Sequence, residues 1–235
     1  METLKEKLKD FESKINENTN EDKLQELFKE LAPAFLYGGY IQVRNDYRVY
    51  IKTVEFYFHS EKDNGVHDPI VYHRNNKYVE GEIPYFPLMS LHAHSSGFDI
   101  TFESKEKQYR ASALIRAYEI WDIVKNHYVV YDKTKLKFRQ HQENEQIWND
   151  QSTYLYDFLN GFGCEGIFWV NDESTQSNEL KPSHRKGVYE STNPNNYELK
   201  EIDGKKILDK KRQWSFTRQE DIILCPLTIN QQNIK

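Results

Sequence analysis

The stretch KTVEFYFHS, residues 52–60, sets one carboxyl, Glu55, inside a run of aromatic and β-branched residues. Alternation along a strand puts Glu55 on one face with Thr53, Tyr57 and His59, and puts Val54, Phe56 and Phe58 on the other. Continued upstream, the same alternation adds Tyr47, Val49 and Ile51 to the Glu55 face, so the glutamate is expected to extend an inward, apolar row. Burial disfavours the charged form of a carboxyl and makes it a stronger base near neutral pH. The structural alternative is an ion pair with Arg48 or Arg116, or a bulge that turns the side chain to solvent. Five of the eight histidines lie within residues 59–94: His59, His67, His73, His92 and His94. Their crowding around Tyr57 points to a polar, aromatic-lined pocket.

Other residue types allow other chemistry. His92 and His94 of LHAH share a strand face, and with His73 and Glu55 they have the ligand types of a zinc or iron site, although nothing else in the spacing fixes a metal. Basic and aromatic residues interleave in HRKGVYES (184–191) and KKRQWSFTR (210–218). That composition grips phosphates and stacks on bases, and it is also that of an ordinary amphipathic strand. Cys164 and Cys225 lack an activating neighbourhood and form no CxxC pair, which argues for a reduced, intracellular chain. LYGGY and LNGFG match neither a dinucleotide nor a P-loop fingerprint.

The chain must position these residues with 235 amino acids, enough for one large domain or two small ones. An aromatic content of 14% argues for a folded, strand-rich body. A net charge of −5 supplies no global attraction to nucleic acid or anionic membrane, leaving any such contact to a local basic groove. The N-terminus has no signal-peptide core and no apolar run approaches a membrane span, so a soluble, cytoplasmic protein is expected.

Residues 2–31 carry helical periodicity in Leu4, Leu8, Phe11 and Ile15 and again in Leu24, Leu27, Phe28 and Leu31, split by the turn-rich NENTNED. Ala32–Pro33 and LYGGY close this section. Period-two alternation then runs through YIQV, a turn at Arg44–Asp46, and YRVYIKTVEFYFHS. LHAH, FDITFES and YRASALIRAYEIW read as further strands, the last two joined by a SKEKQ hairpin tip. STYLYDFLNGFG (152–163) reads as a helix ending near Gly161 and Gly163. GIFWV, KGVYES, RQWSFTR and IILCPL are later strands, and NDESTQSNELKPS (171–183) is the most loop-like segment. The expected fold is α+β: a mainly antiparallel, curved sheet with peripheral helices, arranged as an N-terminal helical segment (1–35) and an α+β body (36–235).

In order along the chain, these motifs resemble the alkyladenine (3-methyladenine) DNA glycosylase family. The family's Glu-x-Tyr at a strand end corresponds to Glu55-Phe56-Tyr57. Its Asp-Pro-x-x-His corresponds to Asp68-Pro69-Ile70-Val71-Tyr72-His73, with one extra residue. Its Leu-aromatic-x-aromatic strand and glycine correspond to Leu91-His92-Ala93-His94 and Gly97, and its Val-Leu-x-Arg-Ala strand to Ala113-Leu114-Ile115-Arg116-Ala117. Arg185-Lys186-Gly187-Val188 and Trp214-Ser215-Phe216 match its C-terminal part more loosely. The islands span roughly residues 40–220, and their shared order carries the likeness.

The resemblance implies a metal-free fold, needing no cofactor, that hydrolyses the N-glycosidic bond of a flipped purine. It implies that Glu55 activates the attacking water, with Arg116 supporting the glutamate or a phosphate. Tyr57, His73 and His94 would line the base pocket, and Arg185 and Lys186 would contact substrate. The chain also departs from the family. Histidines replace tyrosines at His92 and His94, and the aromatic wedge before the glycine falls at Ser95–Ser96. Those departures imply a divergent member acting on single-stranded nucleic acid or a nucleobase-like ligand, or one that keeps only binding. The oligomeric state is left open by the sequence.

Overall fold

The computed structural model describes residues 2–68, 71, 82–94, 97–129, 155, 158–159, 161–162, 166–172, 180–185, 201–202, 205–206 and 212–218. Two helices come first, α1 (Leu4–Lys14) and α2 (Glu21–Leu36). Thr3 caps α1 in a capping box with Glu6, and Asn20 caps α2 by accepting from the Lys23 backbone. Their buried residues keep the predicted spacing: Leu4, Leu8 and Phe11, then Leu24, Leu27, Phe28, Leu31 and Phe35. α2 runs through Pro33 and ends at Leu36, where LYGGY begins. A proline frees the carbonyl four residues back, here that of Lys29, which lies on the exposed side of the helix where water can serve it.

The strands are β1 (Gly39–Val43), β2 (Tyr47–Ser60), β3 (Leu91–His94), β4 (Gly97–Thr101), β5 (Tyr109–Asp122), β6 (His127–Tyr128), β7 (Ile167–Asn171), β8 (Leu180–Ser183), β9 (Glu201–Ile202), β10 (Lys205–Lys206) and β11 (Ser215–Arg218). All but β9 and β10, which pair with each other, belong to one antiparallel sheet that curls into a half-barrel. Its spine is the long pairing of β2 with β5, which runs from Tyr47–Asp122 to Ser60–Tyr109. At one end of the spine β1 lies beside β2 and β6 beside β5; at the other, β11 and β4 take those places. Leu155, Phe158 and Leu159 are helical, within the predicted 152–163 helix, while KGVYES and IILCPL lie outside the described residues.

The segment expected to be a loop, 171–183, ends in strand β8, which pairs with β11. Pro182 hid it. Proline has no N–H to donate to a ladder, but β8 borders β11 alone among the described pairings, and an edge strand accommodates it. No described helix is long and apolar enough to cross a membrane.

A second correction concerns the faces of β2. Register steps from Ile51–Tyr118 to Thr53–Ala117 and then to Val54–Ile115, so β2 carries an extra residue at Lys52 and β5 one at Arg116. Each insertion inverts the parity of its strand. Val49 and Ile51 therefore face the same core as Val54, Phe56 and Phe58, together with both helices. Glu55 and Tyr57 lie on the opposite face, not in the apolar row of Val49 and Ile51.

Candidate functional site

Opposed residues in an antiparallel sheet point to the same side, so register defines what surrounds Glu55. One row runs His92, Asp99, Leu114, Glu55, Ser215 and Ser183, across six strands. The neighbouring row holds Thr101, Ser112 and Tyr57. The residue directly opposite Glu55 is Leu114, yet its charged partner is Arg116. The bulge makes this possible, because Arg116 falls between the pairs Val54–Ile115 and Thr53–Ala117 and is re-aimed toward the glutamate.

Arg116 Nε donates to Glu55 Oε2 at 2.6 Å, and the Tyr57 hydroxyl donates to the same oxygen at 3.0 Å. Arg116 Nη2 in turn donates to the Tyr57 hydroxyl at 3.4 Å. Glu55 is 0% exposed, whereas the Arg116 side chain retains 12%. Tyr57 retains 9%, so of the trio the glutamate alone is wholly enclosed. Burial, and next the charge of Glu55, push the Tyr57 phenol above its ordinary value, which keeps it protonated as a donor. Tyr57, Leu114 and Val71 form a small apolar cluster on this face, separate from the main core.

Arg185, expected to contact substrate, is fully buried beside this trio. Its Nη1 donates to Asp68 Oδ2 at 2.6 Å and to the Phe56 carbonyl at 3.3 Å. Its guanidinium carbon lies 4.7 Å from the Tyr57 ring centre and 5.0 Å from that of Trp214. Arg212 covers Trp214 at 4.8 Å and pairs with Glu21 of α2 at 2.7 Å. It also donates to the His67 carbonyl at 3.0 Å, and a second nitrogen lies 3.6 Å from Asp68 Oδ1.

The structure therefore brings Glu55, Tyr57, Arg116 and Arg185 together. His73 and Lys186 lie outside the described residues, and His94 is described as a position in β3 without its side chain. His59 shares the Tyr57 face and accepts from the Asp68 backbone at 3.1 Å through Nδ1. Its ring meets His67 edge-on at 5.2 Å. Among the described residues no group of three or more His, Cys, Asp and Glu side chains is gathered as a metal site.

Sequence reading missed one carboxylate on this face and the pairing of another beside it. Asp99 is buried and accepts from the Ser112 hydroxyl at 3.1 Å. The signal was present in FDITF, where Phe98, Ile100 and Phe102 alternate with Asp99 and Thr101. Asp68 was noted as part of a motif; its pairing with a residue 117 positions away had no local signal.

No protein-family model, curated protein or solved structure matches the chain. Geometry and the order of the motifs are what bear on its function.

Proposed function

We propose that the chain is a divergent nucleobase N-glycosylase in which Glu55 directs water onto the sugar carbon of a modified nucleotide. The observation that carries this reading is the buried carboxyl of Glu55, gripped at one oxygen by Arg116 and Tyr57 on the sheet face away from the helices. In the proposed reaction the bond from sugar carbon to base nitrogen breaks and its electron pair leaves with the base. The sugar gains cationic character, water oxygen bonds to the sugar carbon, and Glu55 accepts the water proton. A fixed negative group in a dry site stabilises the developing positive charge without having to reorganise. Two fixed donors keep the carboxyl oriented through that change.

A binding module on the same fold is the second reading. The complete burial of Glu55 favours it, because a carboxylate paired to arginine and tyrosine is also a structural anchor. Base release from alkylated or deaminated single-stranded and duplex nucleic acid separates the two. The proposed reading expects release by the wild type and a loss of at least about 100-fold in Glu55→Gln. Release by Glu55→Gln at the wild-type rate removes the role given to this residue. Salt-sensitive binding without release by the wild type points to the module.

A further inference from the structure

We infer that Arg185 is a positioning residue for the Tyr57–Glu55 pair rather than a contact to substrate; the kinetic part of this inference rests on the proposed glycosylase reading. Arg185 has no exposed surface and its guanidinium lies close to both the Tyr57 and Trp214 rings. Tyr57 is thus held at two points. Arg185 faces its ring, while Glu55 and Arg116 hold its hydroxyl. Two in-plane donations from one nitrogen, to Asp68 and to the Phe56 carbonyl, fix the tilt of the guanidinium. The Phe56 carbonyl belongs to the residue between Glu55 and Tyr57, so the same arginine grips the strand where the site is built.

The bracing continues outward. Trp214 is buried and its carbonyl accepts from the Phe56 amide at 2.8 Å. Arg212 backs Trp214 and ties Asp68 and the His67 carbonyl to Glu21 of α2. Arg185 therefore joins three separate pieces of chain: the loop carrying Asp68, the start of β11, and the Glu55–Tyr57 segment of β2. Only a planar, forked cation can lie against aromatic rings while donating in its own plane. Lysine supplies the charge without that geometry.

Arg185→Lys, made in the full chain, tests the assignment. Single-turnover base release should slow about 10–100-fold with the half-saturating substrate concentration unchanged, since misplacing a catalytic group by about 1 Å has effects of this order. The ring signal of Tyr57, read by nuclear magnetic resonance with labelled tyrosine, should shift. Val43→Ala, which empties a buried position in β1 at the other end of the spine, should lower thermal stability without slowing release, so that stability loss alone does not account for the effect. A wild-type rate with an unmoved Tyr57 signal in Arg185→Lys overturns the inference. So does a raised half-saturating concentration at unchanged rate, which would make Arg185 a substrate contact. If the wild type releases no base, the glycosylase reading fails, and the Tyr57 signal still decides whether Arg185 positions that ring. Should Arg185→Lys not fold, Asp68→Asn, which leaves the arginine present but loosens its anchor, should give a smaller shift of the same signal; an unmoved signal there overturns the inference.

Discussion

At the scale of single residues, the buried tyrosines fix how the protein should respond to alkali. Burial raises the phenols of Tyr57 and Tyr109 above the ordinary value of 10.0, with Glu55 adding to the first and Glu12 and Glu103 to the second. In the unfolded chain these groups ionise near pH 10, while the folded protein keeps their protons. Above that pH the native state binds more protons than the unfolded one, so stability falls as pH rises. The stabilisation is fully present below about pH 10, and its loss should approach at most about 1.4 kcal/mol per pH unit for each group. Lys14 is pushed up to about 12 by Asp10 and Glu30 and acts with the same sign, but this surface group is screened by solvent. Urea unfolding between pH 8 and pH 11.5 should show the decline, and Tyr57→Phe and Tyr109→Phe should each flatten it. An unchanged slope in both variants would mean that neither phenol is protected as described. Tyr57→Phe should also lower stability at pH 8 by about 1.5–3 kcal/mol, the usual value of a hydrogen bond to a charged group.

At the scale of elements, the paired bulges of β2 and β5 decide what the site contains. Without Lys52 as an extra residue, the alternation that buries Val49 and Ile51 would drive Glu55 into the helix-covered core. Without Arg116 as the compensating one, β5 would present no cation to it. The β2 bulge has its own buried pair, Lys52 Nζ to Glu119 Oε2 at 3.0 Å, with both residues 6% exposed. Lys52→Met should cost about 3–5 kcal/mol by leaving Glu119 buried against no cation, and adding Glu119→Leu should recover most of that. A double-mutant cycle in urea measures the coupling, and purely additive losses would show that the pair does not anchor the bulge. This element also marks how far the sequence could be read. Strand periodicity placed β1 to β5 and put Glu55 beside Tyr57 on one face, because those relations repeat every two residues; Arg116 entered as one of two possible ion-pair partners and through the order of the motifs. It could not place a one-residue insertion inside an unbroken strand pattern, since both parities of YRVYIKTVEFYFHS carry apolar residues. The Arg185–Asp68 pair was hidden for another reason: its partners are brought together by the long-range pairing of β8 with β11 and of β11 with β2, which leaves no spacing to detect.

At the scale of the whole molecule, the sheet divides two tasks. Its inner face and the two helices form one continuous apolar core, and its outer face carries the polar trio. The two are joined through the backbone of β2, where Phe56 faces inward between outward-facing Glu55 and Tyr57. Phe28 of α2 stacks on Phe56 with ring centres 4.6 Å apart and planes inclined by 2°. Phe28 also meets Phe11 at 5.5 Å and Trp214 at 5.1 Å. The N-terminal helices are therefore packed into the body rather than appended to it, and the aromatic stack ends on the two residues, Phe56 and Trp214, that hold Arg185 and Tyr57. Phe28→Ala should lower stability by about 3–5 kcal/mol, the range for emptying a buried aromatic position. Because helices and sheet share one core, the loss should appear in urea as a shift of a single transition whose steepness is unchanged. Tryptophan fluorescence and far-ultraviolet circular dichroism should report the same midpoint. Two separate transitions, with the helical signal lost first, would show instead that residues 2–36 fold on their own, and that the site on the outer face does not depend on them.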